Sequence, residues 1–461
     1  MLKKYKRSLF IFRRDLRVDD NTALNKALEF SDEVIPCFVF DPRLADEKRK
    51  YFNYNSFQFL LESLEDLKGQ LESKGGRLFI FSGLPENIIA DLKENNGIDA
   101  VFLNKDYTPF SRKRDDLVAK ACADAGIDVI SFHDALLHEP GTVLTNERKP
   151  YRVFSQFFRK ASKVEVSLPL MQEGGRFYSK DIAHGEIELS EFSFLNKNDS
   201  LFSKGGRSYA LSVLQELGDF RNYDNERDFP SIQGTTGLSA HNKLGTVSIR
   251  EFYYYVVDEL GQGHTLINEL HWRDFFTHIA IEFPYVFHQA FKQKFDALSW
   301  SADKESFDAW CKGQTGFPII DAGMRELNTT GYMHNRVRMI VASFLVKDLH
   351  IDWKWGERYF ASKLVDYDPC VNNGNWQWAA STGADSQPYF RIFNPWTQQK
   401  KFDSKCIYIK KWVTELAEVE PKVIHSLDKG QPLLGVAYPQ AIVDHAQERI
   451  RALSIFKSLS L

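Results

Sequence analysis

The stretch Asp366-Tyr367-Asp368-Pro369-Cys370-Val371-Asn372-Asn373-Gly374-Asn375-Trp376-Gln377-Trp378 concentrates carboxylates, amides and two indoles. Asp368 followed by Pro369 reads as the N-cap and first position of a helix. Three Asn and one Gly then fill turns where helix propensity disfavours them, a local conflict of the kind that marks functional sites. If the helix continues, Asn372 and Trp376 share a face at i, i+4, while Trp378 points nearly the opposite way. One helix then offers an amide and an indole to one pocket and a second indole to another.

A second group lies in Asn268-Glu269-Leu270-His271-Trp272-Arg273. Glu269, Trp272 and Arg273 fall on one helical face at i, i+3 and i+4, so a carboxylate, an indole and a guanidinium converge. The trio reads equally as a binding wall with a phosphate anchor or as an ion pair beside a half-buried Trp. Gly234-Thr235-Thr236-Gly237-Leu238-Ser239, preceded by Arg227-Asp228-Phe229-Pro230, is a hydroxyl-and-glycine loop. Its N–H and O–H groups can cradle a pyrophosphate, although such loops are more often turns and helix caps.

All nine tryptophans follow residue 270: Trp272, Trp300, Trp310, Trp353, Trp355, Trp376, Trp378, Trp396 and Trp412. Indoles are usually core material, yet this clustering suits a large planar ligand or an electron-hopping route. The net charge is −3, so nucleic-acid binding would need a local basic face. Arg391, Lys400, Lys401, Lys405, Lys410 and Lys411, interleaved with Phe390, Phe393, Trp396 and Phe402, supply one. A solvated lysine-rich surface explains that stretch as well.

The elements that must position these residues are legible. The chain has 461 residues and 43% hydrophobic content, enough for two domains with their own cores. Apolar, β-branched runs at Ser8–Arg13, Val34–Phe40, Arg77–Ser82, Ala100–Leu103 and Asp128–Phe132 alternate with helical patterns. That rhythm implies an α/β domain over residues 1–132 with a parallel, five-stranded, Rossmann-like sheet. No GxGxxG follows the first strand and no P-loop occurs. Residues 133–204 lose their period and read as a connector. Residues 205–461 carry 3.6-residue periods, among them Thr246–Glu259, Leu266–Ile281 and His334–Leu349, and form an all-helical domain. There is no uncharged apolar run of the ~18 residues a membrane span needs and no signal-like start, so a soluble cytoplasmic protein is expected. The five cysteines are scattered without a CxxC, which argues for reduced thiols and against structural zinc.

Taken together these segments resemble the DNA photolyase/cryptochrome family, and within it the bacterial class I enzymes that repair cyclobutane pyrimidine dimers. The likeness runs nearly end to end. Its marks are Phe12-Arg13-Arg14-Asp15-Leu16-Arg17-Val18-Asp19-Asp20-Asn21, Thr315-Gly316-Phe317-Pro318-Ile319-Ile320-Asp321-Ala322, Met333-His334-Asn335-Arg336-Val337-Arg338-Met339 and Asn372 to Trp378. The resemblance implies an antenna-type α/β domain and a helical domain that binds FAD and a DNA lesion. Tyr223 and Thr235, Thr236, Gly237, Leu238 and Ser239 would hold the cofactor's phosphates, and Asp366 and Asp368 its flavin and ribose side. Arg338 would pair with Asp366, and Asn372 would sit at flavin N5. Glu269, Trp272, Asn335, Arg336, Met339 and Trp378 would surround a flipped-out dimer, with Arg227, Arg273, Arg391 and Lys400 on DNA phosphates. Trp376, Trp353 and Trp300 would carry electrons to the flavin, leaving Trp310, Trp355 and Trp412 as structural and Trp396 open.

By this likeness the chain is a light-dependent lyase acting on UV-damaged DNA, with no obligate protein partner, and is expected to be a monomer. A second, antenna chromophore is a common family feature. Folate-binding relatives have a glutamate where this chain has Ser111, so the candidates are a folate, a deazaflavin, another flavin or none. Leu266 and Gly237 depart from an aromatic and a basic residue in relatives. Two readings compete: 6-4 photoproduct repair, which uses a histidine pair where this chain has His334 and Asn335, and a signalling cryptochrome.

Overall fold

The computed structural model describes residues 3–50, 52–182, 185–192, 196–430, 433 and 435–459. Five parallel strands form where the apolar runs lie: β1 (Tyr5–Phe12), β2 (Ser31–Phe40), β3 (Phe79–Ser82), β4 (Ala100–Asn104) and β5 (Asp128–Phe132). Their order is β3-β2-β1-β4-β5, with Leu9 opposite Ile35 on one side and Val101 on the other. Parallel strands need crossover helices, which cover both faces of the sheet. Leu9 and Phe10, on opposite faces of β1, are accordingly both fully buried. The strand order reverses between β1 and β4, and this opens a crevice beyond their carboxyl ends.

Beyond β5 the regular structure is helical apart from isolated bridges. The helices that bear on the site are α1 (Phe154–Ala161), α2 (Ser239–Leu244), α3 (Thr265–Glu282), α4 (Asn335–Lys347), α5 (Trp353–Lys363) and α6 (Pro369–Ala379). The helix expected from Thr246 starts later, at Ile249, because Ser248 and Glu251 form a capping box at its N-terminus. The segment 133–204 is less irregular than its sequence suggests. It contains α1, whose Phe154, Phe157 and Phe158 share a face and meet Trp272, Phe275 and His271 of α3.

The two halves are stapled by the residues after β1. Arg17 donates to Asp134 at 2.5 Å and to the Gly245 carbonyl at 3.0 Å, and Arg250 reaches Asp20 and Asp134 at 2.9 and 2.8 Å. Removing one member of such a buried set leaves an uncompensated charge. Gly245, in the left-handed region at φ 62°, lets the chain pass closely, since an added Cβ would lie 2.3 Å from the Arg14 carbonyl. The helical core holds Trp310, whose indole N–H donates to Val341 O at 3.1 Å, and Trp396, packed on Phe317. All five cysteines are buried and free.

Candidate functional site

Asp366, just before α6, draws three elements together. Arg338 on α4 grips its carboxylate with both terminal nitrogens at 3.2 and 2.9 Å, and Ser239 at the start of α2 donates to it at 2.6 Å. Burial works against the charge on Arg338, and Asp366 more than restores it, so its pKa stays above the ordinary arginine value. The guanidinium lies 5.1 Å from the Tyr332 ring, which stacks on Phe202 at 3.7 Å. Gly237 turns the loop at φ 66°, and an added Cβ would stand 2.8 Å from that Phe202 ring. The loop Thr235–Ser239 is therefore closed onto Arg338 and Asp366.

Across from this cluster, Arg227 pairs with Glu269 at 2.5 Å and lies 5.5 Å from the Tyr223 ring. Burial raises the Glu269 pKa and Arg227 opposes the rise. On α4, Arg336 pairs with Asp228 at 2.7 Å and covers the Phe402 ring at 4.5 Å, while the Asn335 amide lies 4.0 Å from the Met339 sulfur. His334 caps α4 through Nδ1, which accepts from Arg336 N at 3.2 Å, and burial depresses its pKa to about 4.

Helix α6 begins as its sequence predicts, with Asp368 accepting from the N–H groups of Cys370 and Val371. Its unusual residues have physical reasons. Gly374 faces α3 so closely that a Cβ would meet the Phe276 ring at 2.2 Å. Asn373 donates to Val286 O at 3.0 Å and to the Glu357 carboxylate at 2.9 Å. Asn372 donates its amide to Glu357 O at 3.2 Å, which leaves its Oδ1 as the acceptor end. Trp376 is 2% exposed and presses on Gly356 of α5, where a Cβ would meet its ring at 2.1 Å. Trp353 is equally buried, whereas Trp300 and Trp378 are partly exposed.

Other expected site residues have different surroundings. Arg273 turns inward and donates to Ala135 O at 2.6 Å and Asn242 O at 3.3 Å, so its guanidinium serves the contact between halves rather than facing solvent. Trp272 has one ring face covered by Phe154, with centroids 3.7 Å apart and planes 8° from parallel. Asp368 is also held by Arg14 from the loop after β1. Lys400 is exposed and paired with Asp428 at 2.6 Å, and Arg391 is exposed.

A cavity of about 700 Å³ lies in the crevice at the strand ends and extends to α5 and α6. Its wall includes Arg13, Arg14, Asp106, Ser111, Lys243 and Glu357. Sequence reasoning assigned no role to Arg14, Asp106, Lys243 or Glu357. Arg14 bridges Asp106, at 3.1 Å, to Asp368, and Ser111 donates to Asp106 at 2.8 Å. Burial pulls the Lys243 pKa down to about 8, and burial pushes that of Glu357 up to about 7. The pair Arg13-Arg14 directly after an apolar strand was the available signal, because charges at a strand's carboxyl end line the crevice of an open sheet.

Comparison with known proteins agrees with this architecture. Residues 8–172 match the DNA photolyase family and residues 266–458 match the FAD binding domain of DNA photolyase. A deoxyribodipyrimidine photo-lyase of Alkalihalophilus pseudofirmus is 37% identical over 97% of both chains. An archaeal photolyase from Sulfolobus tokodaii, solved with two FAD molecules, is 43% identical over 98% of this chain and 100% of that one, with a TM-score of 0.88. A bacterial class III photolyase from Agrobacterium tumefaciens is 36% identical over 100% of this chain and 98% of that one, with a TM-score of 0.90. Likeness of this degree thus extends beyond class I. With both family segments present in order and relatives matched across almost their whole length, the chain belongs to the DNA photolyase family.

Proposed function

We propose that this protein repairs cyclobutane pyrimidine dimers in DNA with light, using FAD held between α2, α4 and α6. The observation that carries the reading is the cluster of Arg338, Asp366 and Ser239, which ties a hydroxyl-and-glycine loop to the helices bearing Asn372 and Asn335. A reduced FAD bound there would supply the excited-state electron for opening the cyclobutane ring and would recover it afterwards, so the reaction has no net redox change. The chain's own residues do the rest. Tyr223 and the loop Thr235, Thr236, Gly237, Leu238 and Ser239 hold the phosphates, and Asp366 and Asp368 fix the flavin and ribose side. Asn372, whose amide N–H is committed to Glu357 O, would present Oδ1 to the N5 hydrogen, which a neutral amide can do without repelling an anionic ring. Arg338, fixed by Asp366, would supply a cation near it.

A dimer cannot reach the cofactor while stacked in a duplex, and its damaged geometry lowers the cost of extrusion. Trp272 and Trp378 give it planes to lie on, with Asn335, Arg336 and Met339 beside them, and Glu269 accepts from a base N–H. Arg391 faces phosphates, and Arg227 and Lys400 reach them by leaving Glu269 and Asp428 when DNA binds, which makes binding salt-dependent; Arg273 contributes by holding α3 in place. Trp376, Trp353 and Trp300 run from buried to partly exposed and supply electrons for reducing the oxidised cofactor. The protein acts as a monomer in the cytoplasm.

The cavity at the strand ends suits a second, light-harvesting chromophore. Its wall is cationic on balance, with Arg13, Arg14, Arg49, Arg114, Lys243 and Arg358 against Asp41, Asp106 and Glu357, which favours a phosphate-bearing flavin there, in keeping with the two FAD molecules of the Sulfolobus tokodaii photolyase, and Ser111 offers no carboxylate for a folate. Repair of 6-4 photoproducts is disfavoured because His334, neutral and committed as a helix cap, is followed by Asn335. The test mixes reduced protein with an oligonucleotide containing a thymine dimer and follows the recovery of thymine absorbance. Recovery in blue light and none in darkness is expected; no recovery in light would sink the proposal.

A further inference from the structure

We infer that Phe154 and Asp385 are positioning residues for the lesion wall, holding the Trp272 indole in register with the end of α6. This inference rests on the lesion role given to Trp272 above. Helix α1 comes from the segment between the two halves, far from α3 in sequence, yet its aromatic face is devoted to α3. Phe154 lies parallel to Trp272, Phe157 meets Phe275 edge-tilted at 5.6 Å, and Phe158 meets His271 at 5.1 Å. The Phe154 contact differs in kind, because it covers the flat face of the expected lesion-stacking ring, whereas Phe275 meets that ring edge-on and Phe276 meets it tilted at 5.4 Å.

The N-terminus of α1 explains why this contact is fixed in place. Val153 has no side chain that can cap, so the first N–H groups of the helix lack a local partner. The Phe154 N–H instead donates to the Asp385 carboxylate at 3.0 Å. Asp385 lies beyond the last turn of α6, the helix that carries Trp378, and sits in the left-handed region at φ 46°. Asp adopts that conformation more readily than most non-glycine residues, and the turn that carries it is anchored on both sides: Thr382 and Gly383 donate to Gln377 O at 3.0 Å each, and Lys292 donates to Thr382 O at 2.9 Å and to Ser386 at 2.7 Å. Trp272 is thereby tied through Phe154 and Asp385 to the helix of Trp378. The two indoles of the wall share one brace, and neither Phe154 nor Asp385 has a role in holding the flavin.

The test uses FAD-loaded enzyme carrying Phe154→Leu, Phe154→Ala, Phe154→Tyr or Asp385→Ala. Affinities for a thymine-dimer oligonucleotide and for its undamaged counterpart are measured beside the flavin-to-protein ratio. Phe154→Leu keeps the apolar volume without a flat ring, which guards against simple unfolding of the alanine variant. Phe154→Leu should lose about 10-fold in affinity for the dimer, a share of one base-stacking interaction, with undamaged-DNA affinity and flavin content unchanged. Phe154→Tyr should restore the wild-type preference, and Asp385→Ala should lose about 3-fold. A Phe154→Leu enzyme with the wild-type preference, or one that loses both DNAs equally, overturns the brace while repair by the wild type stands. A wild-type enzyme with no preference for the dimer overturns the lesion reading and this role with it.

Discussion

Arg14, two residues past the end of β1, donates to the carboxylate of Asp368, the residue that caps the helix bearing Asn372, Trp376 and Trp378. The same guanidinium holds Asp106 at 3.1 Å. The start of the most functionally loaded helix is thus fixed by the opposite half of the protein.

Replacing Arg14 by Ala should leave two buried carboxylates without their cation. A loss of about 3–5 kcal/mol is expected, read from denaturant unfolding of the FAD-loaded protein. Weaker flavin retention should accompany it. Unchanged stability would mean that Lys243 takes over the pairing.

Gly374→Ala tests the packing of α6 on α3. A Cβ would stand 2.2 Å from the Phe276 ring, so Phe276 or the helix must shift. Destabilisation of about 1–3 kcal/mol is expected, although Ala is the better helix former by about 1 kcal/mol. A more stable variant would show that α6 and α3 can separate freely.

Trp353→Phe should separate electron supply from repair. Photoreduction of oxidised protein, followed by flavin absorbance, should slow, while repair by pre-reduced protein continues at the wild-type rate. Loss of repair by pre-reduced protein would place Trp353 in the repair step itself.

Glu357 supplies a pH prediction. Burial raises its pKa to about 7, against an ordinary value near 4.5, so the folded protein holds a proton that the unfolded chain releases. That contribution to stability is complete below about pH 4.5 and is lost as pH rises through about 7. Glu357→Gln should therefore gain stability over the wild type by about 1–3 kcal/mol at pH 8 and lose that advantage at pH 5. Thermal midpoints of the two proteins between those pH values check the sign.

The sequence is most readable where one local rule decides the outcome. The strands are continuous apolar runs because both faces of the sheet are covered, and Asp368-Pro369 starts α6 because cap and first-turn preferences agree there. Asn373 and Gly374 conflict with helix propensity for reasons that lie on other elements, at Glu357, Val286 and Phe276, and no local pattern reveals them. Arg273 shares a helical face with Glu269 and Trp272, but backbone carbonyls at Ala135 and Asn242 capture it. Helix α1 was hidden because eight residues give too short a period, and its partners lie more than a hundred residues away.

The cavity beyond the strand ends has walls from both halves: Arg13 and Asp106 on one side, Lys243 and Glu357 on the other. Any molecule that fits it acts as mortar as well as antenna. Its binding free energy adds to the cohesion between the halves, by about 2.7 kcal/mol at a hundredfold excess over Kd. A compound taken up there should raise the unfolding temperature whether or not it absorbs light, so thermal shift can rank chromophore candidates in the dark.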